Sequence, residues 1–224
     1  DVLREAGPPT GLGTYAFRRT PGRQRGVILQ APHAYFDEHT GAIAAAMFWH
    51  RDSPVSVLMT NNIHRYAQPD GKKQRRDHNP ADITHDAAHG FALASAALAR
   101  GAIAIVQLHG FDRDGGEQRA DVDAIVSTGT RDVADSAAAR FAAQWQAATG
   151  LRIRRYGLDI EELGGTQNPV GQLVRAAGGQ FIHVECAAEL RRQLTRDAGA
   201  LMHAMSAIVS SAPAATAAPV PYQP

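Results

Sequence analysis

The feature that most constrains this chain is a short apolar run that ends on chemistry. In GVILQAPHAYFDEH, residues 26 to 39, Val27, Ile28 and Leu29 read as a buried strand. Pro32 ends its ladder, having no N–H to donate. His33, Asp37 and Glu38 then fall in the loop beyond the strand's C-terminal end, where open α/β sheets place ligands. An imidazole followed by a carboxylate four or five positions on is a pair that can hold a divalent metal.

Two later stretches have the same form. AIAIVQLHG, residues 102 to 110, is an apolar run closed by His109 and a glycine, and QFIHVECAAELR, residues 180 to 191, is β-rich and carries Glu185. If the three strands are parallel neighbours, these side chains converge on one edge of one sheet. Two histidines and a carboxylate would then bind zinc and leave a fourth position for water, with Glu185 free to act as base. A carboxylate between Val184 and Cys186 is costly to bury without a partner or a purpose.

Taken together, His33 with its following acids, LHG at 108 to 110 and the VEC strand followed by a helix resemble the zinc carboxypeptidase superfamily, especially its N-formylglutamate amidohydrolase-like branch. PDG at 69 to 71 and RRDHN at 75 to 79 are similar to that superfamily's segment between its first and last metal ligands. The resemblance runs from residue 26 to about residue 191. It implies a three-layer αβα fold and one zinc ion held by His33, Asp37 and His109, with Glu38 as the alternative to Asp37. Glu185 would be the general base. Arg76 would be the oxyanion-stabilising arginine of the basic 65–76 loop, with Arg75 as the alternative. Two departures stand out. The family's first histidine and its glutamate are separated by two residues, a closer spacing than His33 to Asp37 or Glu38. Pro80 follows Asn79 where the family has an arginine for a terminal carboxylate, so such specificity is not expected here.

The rest of the chain fits one α/β unit. With 224 residues, 44% hydrophobic and 20% charged, a single domain over residues 1–211 can bury a full core, followed by a Pro/Ala-rich tail over 212–224. The formal charge of +1 gives no bias toward nucleic acid or an anionic membrane, and no apolar run reaches the length of a bilayer span. A single cysteine, Cys186, excludes an intrachain disulfide and a multi-cysteine zinc site. The start at Asp1 fits a removed signal peptide, hence a periplasmic or secreted protein, as well as it fits a trimmed cytoplasmic one. The alanine- and arginine-rich composition looks like that of a high-GC bacterial protein.

Residues 1 to 13 read as an irregular lead-in, 14 to 19 as an edge strand, about 41 to 51 as a helix capped by Thr40, and 56 to 62 as the next strand. Asp82 or Thr84 caps a helix running to about Arg100. His85 and His89 would lie four apart on its face, a rival metal pair. A short strand at 124 to 127, a helix from Arg131 to about Ala148, a strand at 151 to 158 and a helix from about Pro169 follow. One last helix from about Ala187 carries Leu190, Leu194, Leu201 and Ile208. Alternating strands and helices argue a mostly parallel or mixed central sheet. Neither GxSxG nor GxxxxGK[ST] is visible. The expected activity is metal-assisted hydrolysis of a small amide or peptide, a peptidoglycan-derived peptide if the protein is exported. A noncatalytic α/β ligand-binding module is the alternative from another class.

Overall fold

The computed structural model describes residues 1–19, 26–68, 72–75, 79–131 and 136–211. Eight strands form one mixed sheet: β1 (Val2–Arg4), β2 (Thr14–Phe17), β3 (Val27–Ala31), β4 (Val55–Thr60), β5 (Ala104–Phe111), β6 (Ala124–Ser127), β7 (Ile153–Arg155) and β8 (Phe181–Ala187). Their spatial order is β1-β2-β4-β3-β5-β8-β6-β7. The three strands singled out from the sequence, β3, β5 and β8, are parallel neighbours at the centre. β6 runs antiparallel to β8, and β1 and β2 close the other side antiparallel.

The helices among the described residues are α1 (Thr40–Trp49), α2 (Gly90–Ala99), α3 (Ala137–Thr149), α4 (Pro169–Ala176), α5 (Ala188–Leu194) and α6 (Gly199–Ser211). None is long and apolar enough to cross a membrane. They sort by the two-residue period of the strands. Val27, Leu29, Val106, Leu108, Val184 and Cys186 pack in one cluster with Met47 of α1, Phe141 and Trp145 of α3 and Leu201 of α6. Ile28, Ile105 and Phe181 point the other way, into a smaller cluster with Phe91 of α2 and Val174 of α4. The result is a three-layer αβα sandwich with a mixed sheet.

Several local expectations change. The lead-in contains β1, whose three residues are all exposed and so leave no burial pattern to read. β2 is therefore an inner strand, not an edge. Thr40 lies inside α1; the preceding His39 takes the left-handed turn, at φ 75°. The helix expected from residue 82 or 84 begins only at Gly90, with His89 as its cap accepting from Phe91 N. Asp82 and Thr84 are instead hydrogen-bonded to His33, and this tertiary contact overrides the capping signal. His85 and His89 consequently do not share a helix face. The single last helix is two, α5 and α6, separated by the turn before Gly199. The 212–224 tail lies outside the described residues.

Candidate metal centre

Where β3 ends, the chain makes one tight turn rather than leaving the sheet. Asp37 N donates to His33 O at 2.8 Å, and Thr40 closes the next turn through N (3.1 Å) and Oγ1 (2.8 Å) to Asp37 O. The turn folds the Asp37 side chain back over His33. Glu38 faces out, and its carbonyl accepts from Arg191 Nε at 2.9 Å. Buried Arg191 also donates to Cys186 O and Phe111 O, tying the turn to the ends of β5 and β8. It passes so close to Gly110 that a Cβ there would meet its Nη1 at 2.1 Å, which accounts for the glycine after His109.

The sheet register delivers the other groups. His109 and Glu185 are direct partners across β5 and β8 on the α2/α4 face. Asp37 Oδ2 lies 3.5 Å from His33 Nδ1 and 3.3 Å from His109 Nδ1, with the three side chains buried. It has no hydrogen-bond donor among the described residues. His33, Asp37 and His109 thus form one of three groups among the described residues whose donor atoms lie close enough to hold a metal ion, the others being His33, Asp82 and His85, and His109, His183 and Glu185. Glu38, the alternative carboxylate, is outside all three.

Asp82 completes the first histidine. Its Oδ1 lies 2.9 Å from His33 Nε2. Carboxylates accept only, so this bond places the ring proton on Nε2 and turns the Nδ1 lone pair toward Asp37. A carboxylate on the far nitrogen is the arrangement that orients and strengthens a metal-binding imidazole. Arg65 grips the other oxygen of Asp82 through Nε (3.0 Å) and Nη2 (2.5 Å), and its Nη1 reaches 3.3 Å from His33 Nδ1. Its guanidinium also lies over the rings of Phe36 and Tyr66. Among the described residues of the polar loop, Arg65 is therefore the arginine that faces the site. Arg75 is exposed, and Arg76 lies outside the described residues. His85 joins Asp82 from the solvent side at 3.0 Å, while His89 caps α2.

The electrostatics are those of a buried cluster of histidines and carboxylates. Burial lowers the His33 pKa, but the neighbouring carboxylates of Asp37 and Asp82 outweigh it and hold it above the ordinary value. Burial presses His109 down to about 4 despite Asp37. Both aspartates stay well below the carboxylate range, their histidine partners overcoming the cost of burial. Glu185 goes the other way: burial, with the charge of Asp37, raises it well above its ordinary value. Its Oε2 lacks a hydrogen bond among the described residues.

Sequence reading missed three members of this face. His183 stacks on His109 at 4.6 Å between centroids, and Gln107 and Gln30 stand behind them. A usable signal existed: Gln107 and His183 each precede a site residue by two positions, the spacing that keeps side chains on one face of a strand.

This topology is that of a zinc carboxypeptidase-like fold. No protein-family model matches the sequence, and no curated protein matches it. Solved structures do match. YNDL in a zinc-free apo form is 14% identical, with a TM-score of 0.53 and 92% of each chain covered. A bacteriophage poly-gamma-glutamate hydrolase is also 14% identical, with a TM-score of 0.52 over 92% of this chain and 91% of that one. A metallo-carboxypeptidase from Burkholderia cenocepacia is 12% identical, with a TM-score of 0.56 over 89% of this chain and 61% of the other. At such identities the likeness establishes the fold.

Proposed function

We propose that this chain is a zinc-dependent hydrolase of amide or peptide bonds, with one zinc ion held by His33, Asp37 and His109. One observation carries the reading: a buried carboxylate oxygen without a donor faces the Nδ1 atoms of two histidines. If those nitrogens present lone pairs, three acceptors meet with only Arg65 Nη1, 3.3 Å from His33 Nδ1, to offset them, and a cation among them resolves the conflict. Two imidazoles and a carboxylate are a zinc donor set that leaves a position open. When bound, zinc supplies Lewis acidity, acidifying water and polarising a carbonyl.

The remaining work falls to the chain's own groups. Glu185, one strand over from His109, takes the proton of the attacking water and delivers it to the leaving amine. Its raised pKa suits a base that must hold a proton between those two events. Arg65, fixed by Asp82 and flanked by Phe36 and Tyr66, directs an N–H toward the oxyanion formed on the substrate carbonyl. Arg76, implied for this role by the family resemblance, lies outside the described residues and is the alternative. The substrate is a small amide or peptide, with a peptidoglycan-derived peptide as one member of that class. Similarity to a poly-gamma-glutamate hydrolase adds γ-linked glutamyl amides to the compounds worth offering.

The test is elemental analysis of the purified chain after zinc supplementation, alongside His33→Ala and His109→Ala checked for folding by circular dichroism. About one zinc per wild-type chain, lost in both variants, is the expected result. Full zinc retained in both folded variants would sink the assignment. Hydrolysis of N-acyl amino acids, peptides and poly-γ-glutamate by the zinc-loaded protein then identifies the substrate.

A further inference from the structure

Behind His109 runs a chain of hydrogen bonds buried throughout. His109 Nε2 meets Gln107 Oε1 at 2.8 Å, Gln107 Nε2 meets Gln30 Oε1 at 2.8 Å, and Gln30 Nε2 meets Ser95 Oγ at 2.7 Å. Gln30, Gln107 and Ser95 are each 0% exposed, so every one of these groups depends on its protein partner. They lie on three elements: Gln107 on β5, Gln30 directly opposite it on β3, and Ser95 on α2.

The direction of this chain follows from its ends. An amide's oxygen and nitrogen are told apart by their partners, and two anchors settle them here. The first is in α2. Ser95 Oγ donates to the carbonyl of Phe91 at 2.7 Å, one turn back in the helix, so its lone pairs are what Gln30 meets. Gln30 must turn its NH₂ to Ser95, where Met59 Sδ is a second acceptor at 3.2 Å, and hence its oxygen to Gln107. Gln107 then gives its NH₂ to Gln30 and its oxygen to His109.

The second anchor is in α4. Asn168 caps that helix, its Oδ1 accepting from Val170 N and Gly171 N at 3.0 and 3.4 Å. Its NH₂ is thereby committed outward, and it donates to Gln107 Oε1 at 2.5 Å. Two helices, approached through unrelated residues, impose the same orientation on Gln107. An oxygen that already accepts from Asn168 can only accept from His109 as well.

We infer that Gln107, held from α2 through Ser95 and Gln30 and from α4 through Asn168, is a positioning residue that fixes the proton of His109 on Nε2. The Nδ1 lone pair is then aimed at Asp37 before any metal arrives. Asp82 does for His33 with one charged group what the glutamine relay does for His109 with neutral ones. The difference has a use: a neutral relay fixes the tautomer without adding negative charge beside Glu185. The consequence for zinc rests on the function proposed above; the tautomer does not.

The experiment is nitrogen–proton correlation of the histidine rings in the full, zinc-free chain, followed by zinc affinity measured against a competing chelator. In the wild type, the His109 ring should show a protonated Nε2 and a bare Nδ1. Gln107→Leu, which removes the acceptor, should lose that pattern and bind zinc about 10–100-fold more weakly. Gln107→Glu gives up the donor to Gln30 but keeps an acceptor toward His109, and should keep the protonated Nε2. A protonated Nδ1 in the wild type overturns the inference without requiring any variant to fold. So does a folded Gln107→Leu protein with wild-type zinc affinity. A wild type that shows the Nε2 proton yet binds no zinc supports the relay and removes the hydrolase reading instead.

Discussion

The two faces of the central sheet are made by the same strands and obey opposite rules. On β5, Val106 and Leu108 face α1, α3 and α6, while Gln107 and His109 face α2 and α4; on β8, Val184 and Cys186 alternate in the same way with His183 and Glu185. The first face is mainly apolar, with the indole N–H of Trp145 as a buried exception, and its stability comes from area removed from water. The second buries polar groups, several without partners, and a buried polar group that is unpaired costs free energy. One face makes the fold stable enough for the other to be held in a costly arrangement. Changes on the apolar face should therefore cost stability, and changes on the polar face should cost function, sometimes with a gain in stability.

The largest effect is expected on the apolar face. Trp145 is 0% exposed and packs against Phe141 within the main cluster. Trp145→Ala should lower unfolding free energy by about 3–5 kcal/mol. In whatever fraction stays folded, zinc affinity should be that of the wild type. Loss of zinc binding from the folded fraction, measured below the melting transition, would show that the two faces are not separable.

Glu185→Gln probes the other face. Removing a general acid–base group typically slows the reaction about 10²–10⁴-fold, so that loss is expected for the zinc-loaded protein. Zinc-free stability should move in the opposite direction. The carboxyl pKa is raised by burial, so the folded state holds its proton where the unfolded state has released it. Stability therefore falls as pH rises from the unfolded value through the folded one. Glutamine cannot ionise, so the variant should melt above the wild type at pH 8, and the gap should close as pH falls toward the ordinary carboxyl value of 4.5. Equal melting temperatures at both pH values would contradict the assignment of Glu185 as a strained, buried acid.

This division explains what could be read from the sequence. The apolar runs of β3, β5 and β8 announce themselves, and so do the residues that end them, because a histidine or glutamate in such a run breaks the pattern. The αβα order follows from strands alternating with amphipathic stretches. What supports the site is less visible. Asp82 reaches His33 across 49 positions of sequence, and a lone aspartate followed by Thr84 and an alanine-rich segment reads as a helix cap. Gln30 and Gln107 look like interruptions of a hydrophobic strand until their register puts them opposite each other. Arg65 shares its loop with four other basic residues, and nothing local in the sequence marks it as one that folds back over His33.

The smallest effect is also the finest test of the division, because Cys186 and Glu185 are neighbours in sequence on opposite faces of one strand. Cys186 is a free thiol buried among apolar side chains; burial, with the charge of Glu185, pushes its pKa up to about 12. Thiolate is the reactive form, so the folded protein should resist iodoacetamide at pH 8 and become alkylated only on unfolding. Cys186→Ala removes one buried sulfur and should cost about 1 kcal/mol, with zinc content and the rate of hydrolysis unchanged. Alkylation of the native protein at the rate of a free thiol, or zinc lost from the folded alanine variant, would mean that the strand transmits change from one face to the other. The site would then depend on packing at one residue's distance, and the apolar face would be part of the metal centre rather than its support.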